Sequence, residues 1–146
     1  MKPALERILV PIDFGPASLA ALDYAIELAQ KFGSKVTLVH AYSIPVTEYG
    51  DMIQWPIAEM ERQAKAALDE LLGRTRAKYA NVEGEVAFGE TARQILDMAE
   101  ARKCGLIVMG THGRRGLTRV LLGSVAERVV RTSPVPVLTV SAPKEG

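Results

Sequence analysis

Apolar runs of strand length alternate along this chain with segments of helical period. Ile8-Leu9-Val10-Pro11-Ile12 predicts a first strand, closed by Asp13-Phe14-Gly15-Pro16. From Ala17 to Phe32, Leu19, Leu22, Ile26 and Ala29 recur on one stripe of a helix, and Gly33 is placed to stop it in a left-handed cap. Val36 to Ala41 predicts a second strand, apolar enough to be buried on both faces. Tyr42 to Pro56 has no clear period and carries Pro45, Gly50, Pro56, Tyr49 and Trp55, as a functional or mobile loop would. A second helix is expected from Ile57 to Tyr79, with Met60, Ala64, Leu68 and Leu71 on one side. Val82 to Phe88 alternates as an outer strand with one wetter face does. Thr91-Ala92-Arg93-Gln94 has the pattern of a capping box opening a third helix, with Ile95, Met98 and Ala99 inward and Gly105 after its end. Leu106 to Met109 is the most apolar strand. A last helix is expected from Thr118 to Arg131, presenting Leu122, Val125 and Val129, and a last strand from Val135 to Val140. Strands separated by helices imply parallel crossovers, hence a three-layer, doubly wound α/β sheet.

Composition narrows the classes. The 146 residues suit one domain spanning 1–146, with 48% hydrophobic and 24% charged residues, as in an ordinary globular chain. A formal net charge of +1 gives no field directed at nucleic acid or an anionic membrane. The lone Cys104 cannot form an internal disulfide, which fits a reducing compartment, and without a CxxC partner it is expected to be structural. The start, MKPALERILVPIDFG, lacks the apolar core of a signal peptide. No apolar run approaches the roughly 20 residues needed to cross a bilayer. A cytoplasmic protein is expected.

The chemistry concentrates in GTHGRRGLTRVLLGS, directly after the fourth strand. A strand that ends in glycines and restarts as a helix lets backbone N–H groups approach an anion, with the positive end of a helix dipole behind them. This predicts a phosphate cradle at Gly110, Gly113 and Gly116, against the alternative of a merely flexible loop. Ligands of such sheets bind beyond the carboxyl ends of the strands, where strand order reverses. Asp13 falls at that end of strand one, either holding a ribose hydroxyl or capping the turn at Gly15-Pro16. Ser124 either bonds a phosphate or back-bonds the helix, and Gly123 would cost a helix interior about 1 kcal/mol. Arg114 and Arg115 either add charge to the site or face solvent. His112 is a candidate phosphate donor with no nucleophile paired to it, and His40 a structural histidine. GxxxxGK[ST], GxGxxG after the first strand, GxSxG and HExxH are all absent from the sequence.

Over essentially its whole length the chain resembles the universal stress protein family. Gly110, Gly113, Gly123 and Ser124 match in full the motif G-x2-G-x9-G-[ST] of the family's ATP-binding branch, and ILVPIDFGPAS and RTSPVPVLTV are similar to its ends. The resemblance implies a Rossmann-like, adenine nucleotide α-hydrolase-like fold, a five-stranded parallel sheet in the order 3-2-1-4-5. It implies that Pro11, Ile12 and Asp13 contact the adenosine and that Ala41 meets the adenine through its main chain. Gly110, Thr111, His112, Gly113, Arg114, Arg115 and Gly116, with Gly123, Ser124, Val125 and Ala126, would wrap ribose and phosphates. Mg²⁺ or Mn²⁺ would bridge phosphate oxygens, with no metal ligands from the protein. Some members carry a hydroxyl where Ala126 stands. The resemblance further implies a homodimer through the final strand, Val135–Val140.

The expected function is ATP binding (or AMP or ADP binding) by a stress-response protein that acts through an unidentified protein partner. A slow ATPase is the alternative from the enzyme class, although no general base or nucleophile is evident and no catalytic residue is assigned. A nucleotide-free structural dimer is the third possibility.

Overall fold

The computed structural model of the protein describes residues 3–44, 55–112 and 122–143. A single helical turn, α1 (Pro3–Glu6), leads into β1 (Arg7–Pro11), α2 (Pro16–Phe32), β2 (Lys35–Tyr42), α3 (Ile57–Arg76), β3 (Val82–Phe88), α4 (Thr91–Ala101), β4 (Leu106–Gly110), α5 (Ser124–Thr132) and β5 (Val137–Val140). The five strands form one sheet in the order β3-β2-β1-β4-β5. Every pairing is parallel, with Ile8 of β1 opposite both Val36 of β2 and Leu106 of β4. The strand order places the reversal between β1 and β4, at the centre of the sheet.

Side-chain alternation on the strands sorts the core into two layers. Ile8 and Val10 point to the face covered by α2 and α3, against Ala21, Leu22, Ala25, Leu68 and Leu72. Leu9, Val39 and Ile107 point to the opposite face, against Ile95 and Ala99 of α4 and Val129 of α5. A sheet buried on both faces needs apolar residues at successive positions, which is why β1 and β4 lack a polar alternation.

The buried stripe of α2 differs from the expected one. Ala17, Ala21, Ala25 and Ala29 lie against the sheet together with Leu22 and Ile26, while Leu19 is only half-buried. Small residues at four-residue spacing let this helix approach the strands closely. Its end is as expected: Gly33, at φ 69°, donates its N–H to the Ala29 carbonyl.

Other boundaries are corrected. α3 stops at Arg76 rather than Tyr79, because the Thr75 carbonyl accepts both the Lys78 and the Tyr79 N–H, and the Tyr79 hydroxyl then donates to the Ser34 carbonyl at 2.6 Å. β5 begins at Val137 rather than Val135. The capping box does not form. Glu90 occupies the N-cap of α4, Thr91 is its first helical residue, and no side chain caps the helix. The last helix begins at Ser124 rather than Thr118: Leu122 and Gly123 are not helical, and residues 118–121 lie outside the described residues.

Cys104 is buried, and burial pushes its thiol above the ordinary range. At the opposite end of the sheet from the strand C-termini, Glu83 pairs with Lys35 at 3.2 Å and accepts a hydrogen bond from Thr37 at 3.1 Å. Partial burial opposes ionisation of Glu83. Its hydrogen bonds with Lys35 and Thr37 and the charges of Lys35 and Arg102 outweigh this, holding the carboxyl below its usual value. No described helix is long and apolar enough to cross a membrane.

Candidate functional site

A cavity of about 240 Å³ opens at the carboxyl ends of β1, β2 and β4. Of the residues predicted from sequence, Pro11, Ile12, Asp13, Ala41, Gly110, Thr111, His112, Gly123, Ser124, Val125 and Ala126 all line it. Gly113, Arg114, Arg115 and Gly116 lie outside the described residues. Five lining residues were not anticipated: Ser18, Val39, Thr91, Ile95 and Met109. Ser18 and Thr91 stand in the first turns of α2 and α4, which both follow strands that end at this side of the sheet. That rule of position was the signal available for them.

The turn after β1 is built by side chains. Asp13 accepts the Gly15 N–H on Oδ1 at 2.8 Å, an Asx turn. Ser18 Oγ accepts the Asp13 N–H at 3.3 Å and donates to the Gly15 carbonyl at 3.2 Å. Asp13 therefore does cap the Gly15-Pro16 turn, on the wall of the cavity. Phe14 is forced to φ 64°, a left-handed conformation costly for a side chain of its size. Its ring packs edge-on against His40, centroids 4.8 Å apart. His40 Nδ1 in turn donates to the Ile12 carbonyl at 2.8 Å, a satisfied structural role.

That last bond shapes the cavity. The β1–β2 ladder ends with the Ile12 N–H on the Val39 carbonyl at 2.8 Å. Along a strand, successive residues direct their N–H and C=O to alternate neighbours, so Ala41 directs both groups to the same side as Val39. On that side β1 has already turned away, and the Ile12 carbonyl is occupied by His40. The Ala41 main chain thus presents a donor and an acceptor to the cavity.

Gly110 lines the cavity and also has a packing reason to be glycine. A Cβ there would stand 2.7 Å from the Ala17 carbonyl carbon and 2.8 Å from the Ser18 nitrogen. The missing side chain lets α2 pack against the end of β4, which brings the first turn of α2 to the cavity. Beyond it, the Thr111 N–H bonds the Val140 carbonyl at 2.9 Å and the Gly123 N–H bonds the Thr111 carbonyl at 2.6 Å. These two bonds draw the start of α5 onto the end of β4. Thr111 Oγ1 lies 2.9 Å from His112 Nδ1, and His112 Nε2 is buried with no hydrogen-bond partner among the described residues.

Gly123 is the N-cap of α5, at φ −62° and ψ 163°, with no side-chain cap. Glycine is favoured at that position, so the cost expected of a helix-interior glycine does not arise. Ser124 is the first helical residue, and the carbonyl four residues before it, that of Val120, lies outside the described residues. The first intrahelical bond runs from the Glu127 N–H to the Gly123 carbonyl. Among the described residues the N–H groups of Ser124, Val125 and Ala126 meet no acceptor, and they stand at the positive end of the helix dipole. All three residues line the cavity. The arrangement has anion-seeking amides on one side, a main-chain donor and acceptor on another, and an apolar floor of Val39, Ile95 and Met109 between them. Among the described residues no group of three or more His, Cys, Asp or Glu side chains is arranged to hold a metal ion.

Comparison with known proteins identifies the family and agrees with the fold. Residues 4–141 match the Universal stress protein family. The chain is 34% identical over 148 aligned positions to universal stress protein MJ0531 of Methanocaldococcus jannaschii, covering 96% of this chain and 84% of that protein. It spans only 45% of several longer mycobacterial relatives. Among solved structures it resembles the universal stress protein UspA from Lactobacillus plantarum, with TM-score 0.77 and 27% identity over 93% of this chain and 97% of the other. It also resembles the universal stress protein from Archaeoglobus fulgidus in complex with dAMP, with TM-score 0.66 and 26% identity over 94% and 98% of the two chains. The sheet order, the site at its reversal and the match along nearly the whole sequence converge: the chain belongs to the universal stress protein family.

Proposed function

We propose that this protein binds an adenine nucleotide in the cavity at the ends of β1, β2 and β4, and that occupancy regulates its interaction with a protein partner in a stress response. One observation carries the proposal: the first turn of α5 lines the cavity with three N–H groups that meet no acceptor among the described residues, a ready site for phosphate. His112 Nε2, buried and unpartnered among the described residues, adds a polar atom to the same wall. The Ala41 main chain offers the donor and acceptor that an adenine edge requires, and Ile95 and Met109 offer apolar surface to its ring. The related protein solved with dAMP supports the ligand class.

The residues fit ATP, ADP or AMP. A divalent cation, Mg²⁺ or Mn²⁺, fits only as a passenger on the phosphates, since the described residues form no ligand cluster. The outer edge of β5 pairs with no other described strand, and its residues are half-buried. That edge is the proposed homodimer interface, because an unpaired strand needs covering. Calorimetric titration with AMP tests the proposal. Wild type binds, and Ser124→Asp, which places a carboxylate where the phosphate would sit, loses at least about tenfold in affinity through like-charge repulsion and lost donors. No heat from wild type, or equal binding by the variant, contradicts the proposal.

A further inference from the structure

Beside the nucleotide cavity lies a second, more open one of about 540 Å³, and Thr91, Ser124 and Val125 line both. The uncapped first turn of α5 therefore stands on the lip between them. Past that lip the wall carries Arg128, one turn along α5 from Ser124, and Glu90, the N-cap of α4. The Ser124 and Arg128 positions are about 6 Å apart along the helix axis, so the long Arg128 side chain can reach back toward an anion chain that starts at the first N–H groups of α5.

Arg128 is held by Glu90. Its Nη1 donates to Glu90 Oε1 at 2.5 Å, with the two side chains 50% and 53% exposed. Glu90 makes no capping bond on its own helix and spans to α5 instead. A half-exposed pair of this kind is weak. A phosphate group offers guanidinium a bidentate, more highly charged partner.

Resting on the nucleotide-binding proposal above, we infer that the second cavity receives the outer phosphates of a nucleoside di- or triphosphate, with Arg128 as their ligand and Glu90 as the competing anion. A monophosphate ends at the α5 amides and leaves the Arg128–Glu90 pair intact. A longer phosphate chain crosses the lip, takes Arg128 from Glu90, and leaves the Glu90 carboxylate facing like charge. The pair thus sets the preference between short and long phosphate chains, separately from recognition of the adenosine.

The test is calorimetric titration of the full chain with AMP and with ATP, in EDTA so that no cation bridges Glu90 to phosphate. Arg128→Gln is expected to weaken ATP about tenfold, the scale of one charge-assisted contact, and to leave AMP unchanged. Glu90→Gln is expected to tighten ATP and leave AMP unchanged, which no folding defect would mimic. Equal effects on both nucleotides, no effect of Arg128→Gln on ATP, or no gain from Glu90→Gln would overturn the inference, as would wild type that binds AMP but not ATP. Wild type that binds neither nucleotide overturns the nucleotide-binding proposal itself.

Discussion

Replacing Gly110 with alanine tests whether this glycine serves packing. The added methyl would stand 2.7 Å from the Ala17 carbonyl carbon, 2.8 Å from Ala17 Cβ and 2.8 Å from the Ser18 nitrogen. Two of these are backbone atoms of α2, so no rotamer change relieves the clash. Either α2 moves off the sheet or the end of β4 bends. Overpacking of this kind costs about 1–3 kcal/mol, which for a chain of this size lowers the melting temperature by about 2–4 °C per kcal/mol. Urea denaturation followed by circular dichroism measures it directly. Because the displaced turn carries Ser18 and borders Asp13, AMP affinity should fall as well. Gly123→Ala is the internal control. Its φ of −62° suits any residue, so only the modest N-cap preference for glycine is lost, costing less than about 1 kcal/mol. Equal costs at the two positions, or a Gly110→Ala protein as stable as wild type, would refute the packing argument.

Two further outcomes follow from the same structure. Ser124→Asp, which is expected to impair AMP binding, should raise thermal stability by about 0.3–1 kcal/mol in the absence of ligand, because a carboxylate at the first turn of α5 complements its dipole; a loss of stability in a thermal melt would contradict the orientation assigned to that turn. Glu83, held below its ordinary value of 4.5, contributes stability that is present above that pH and disappears as pH falls through the folded-state value. Acid titration of Glu83→Gln should accordingly show a flatter loss of stability than wild type below pH 4.5, and parallel curves would show that the Lys35 and Thr37 contacts are unimportant.

Much of this architecture was legible before any coordinates, and for a physical reason. Strands buried on both faces cannot hide polar residues, so Ile8–Ile12 and Leu106–Met109 stand out, and a helix ended by Gly33 announces its own stop. The order of the sheet came only from family resemblance, since pattern reveals strands and not their neighbours. Where local rules failed, a tertiary contact had overridden them. Thr91 and Gln94 satisfy the spacing of a capping box, yet Glu90 takes the cap and reaches across to Arg128, 38 residues away. Helical periodicity ran upstream to Thr118, although α5 begins only at Ser124, six residues later than the pattern suggests; the apparent cost of a glycine inside a helix was itself the clue that it stood at the boundary. Asp13 and Gly110 were picked out because their place at the strand ends follows from order along the chain, whereas Pro11, Ile12, Ala41, Val125 and Ala126 came from family resemblance; all of them line the cavity. The reason Gly110 is glycine was not legible, because it depends on a distance between β4 and α2 that no spacing in the sequence encodes.

Amide chemical shifts recorded during an AMP titration of ¹⁵N-labelled protein test the central claim most directly. The account predicts saturable shifts at Ser124, Val125 and Ala126, where unused N–H groups meet the phosphate, and at Ala41, where the main chain meets the base. Shifts confined to other parts of the sheet, or a spectrum unchanged at saturating AMP, would contradict it.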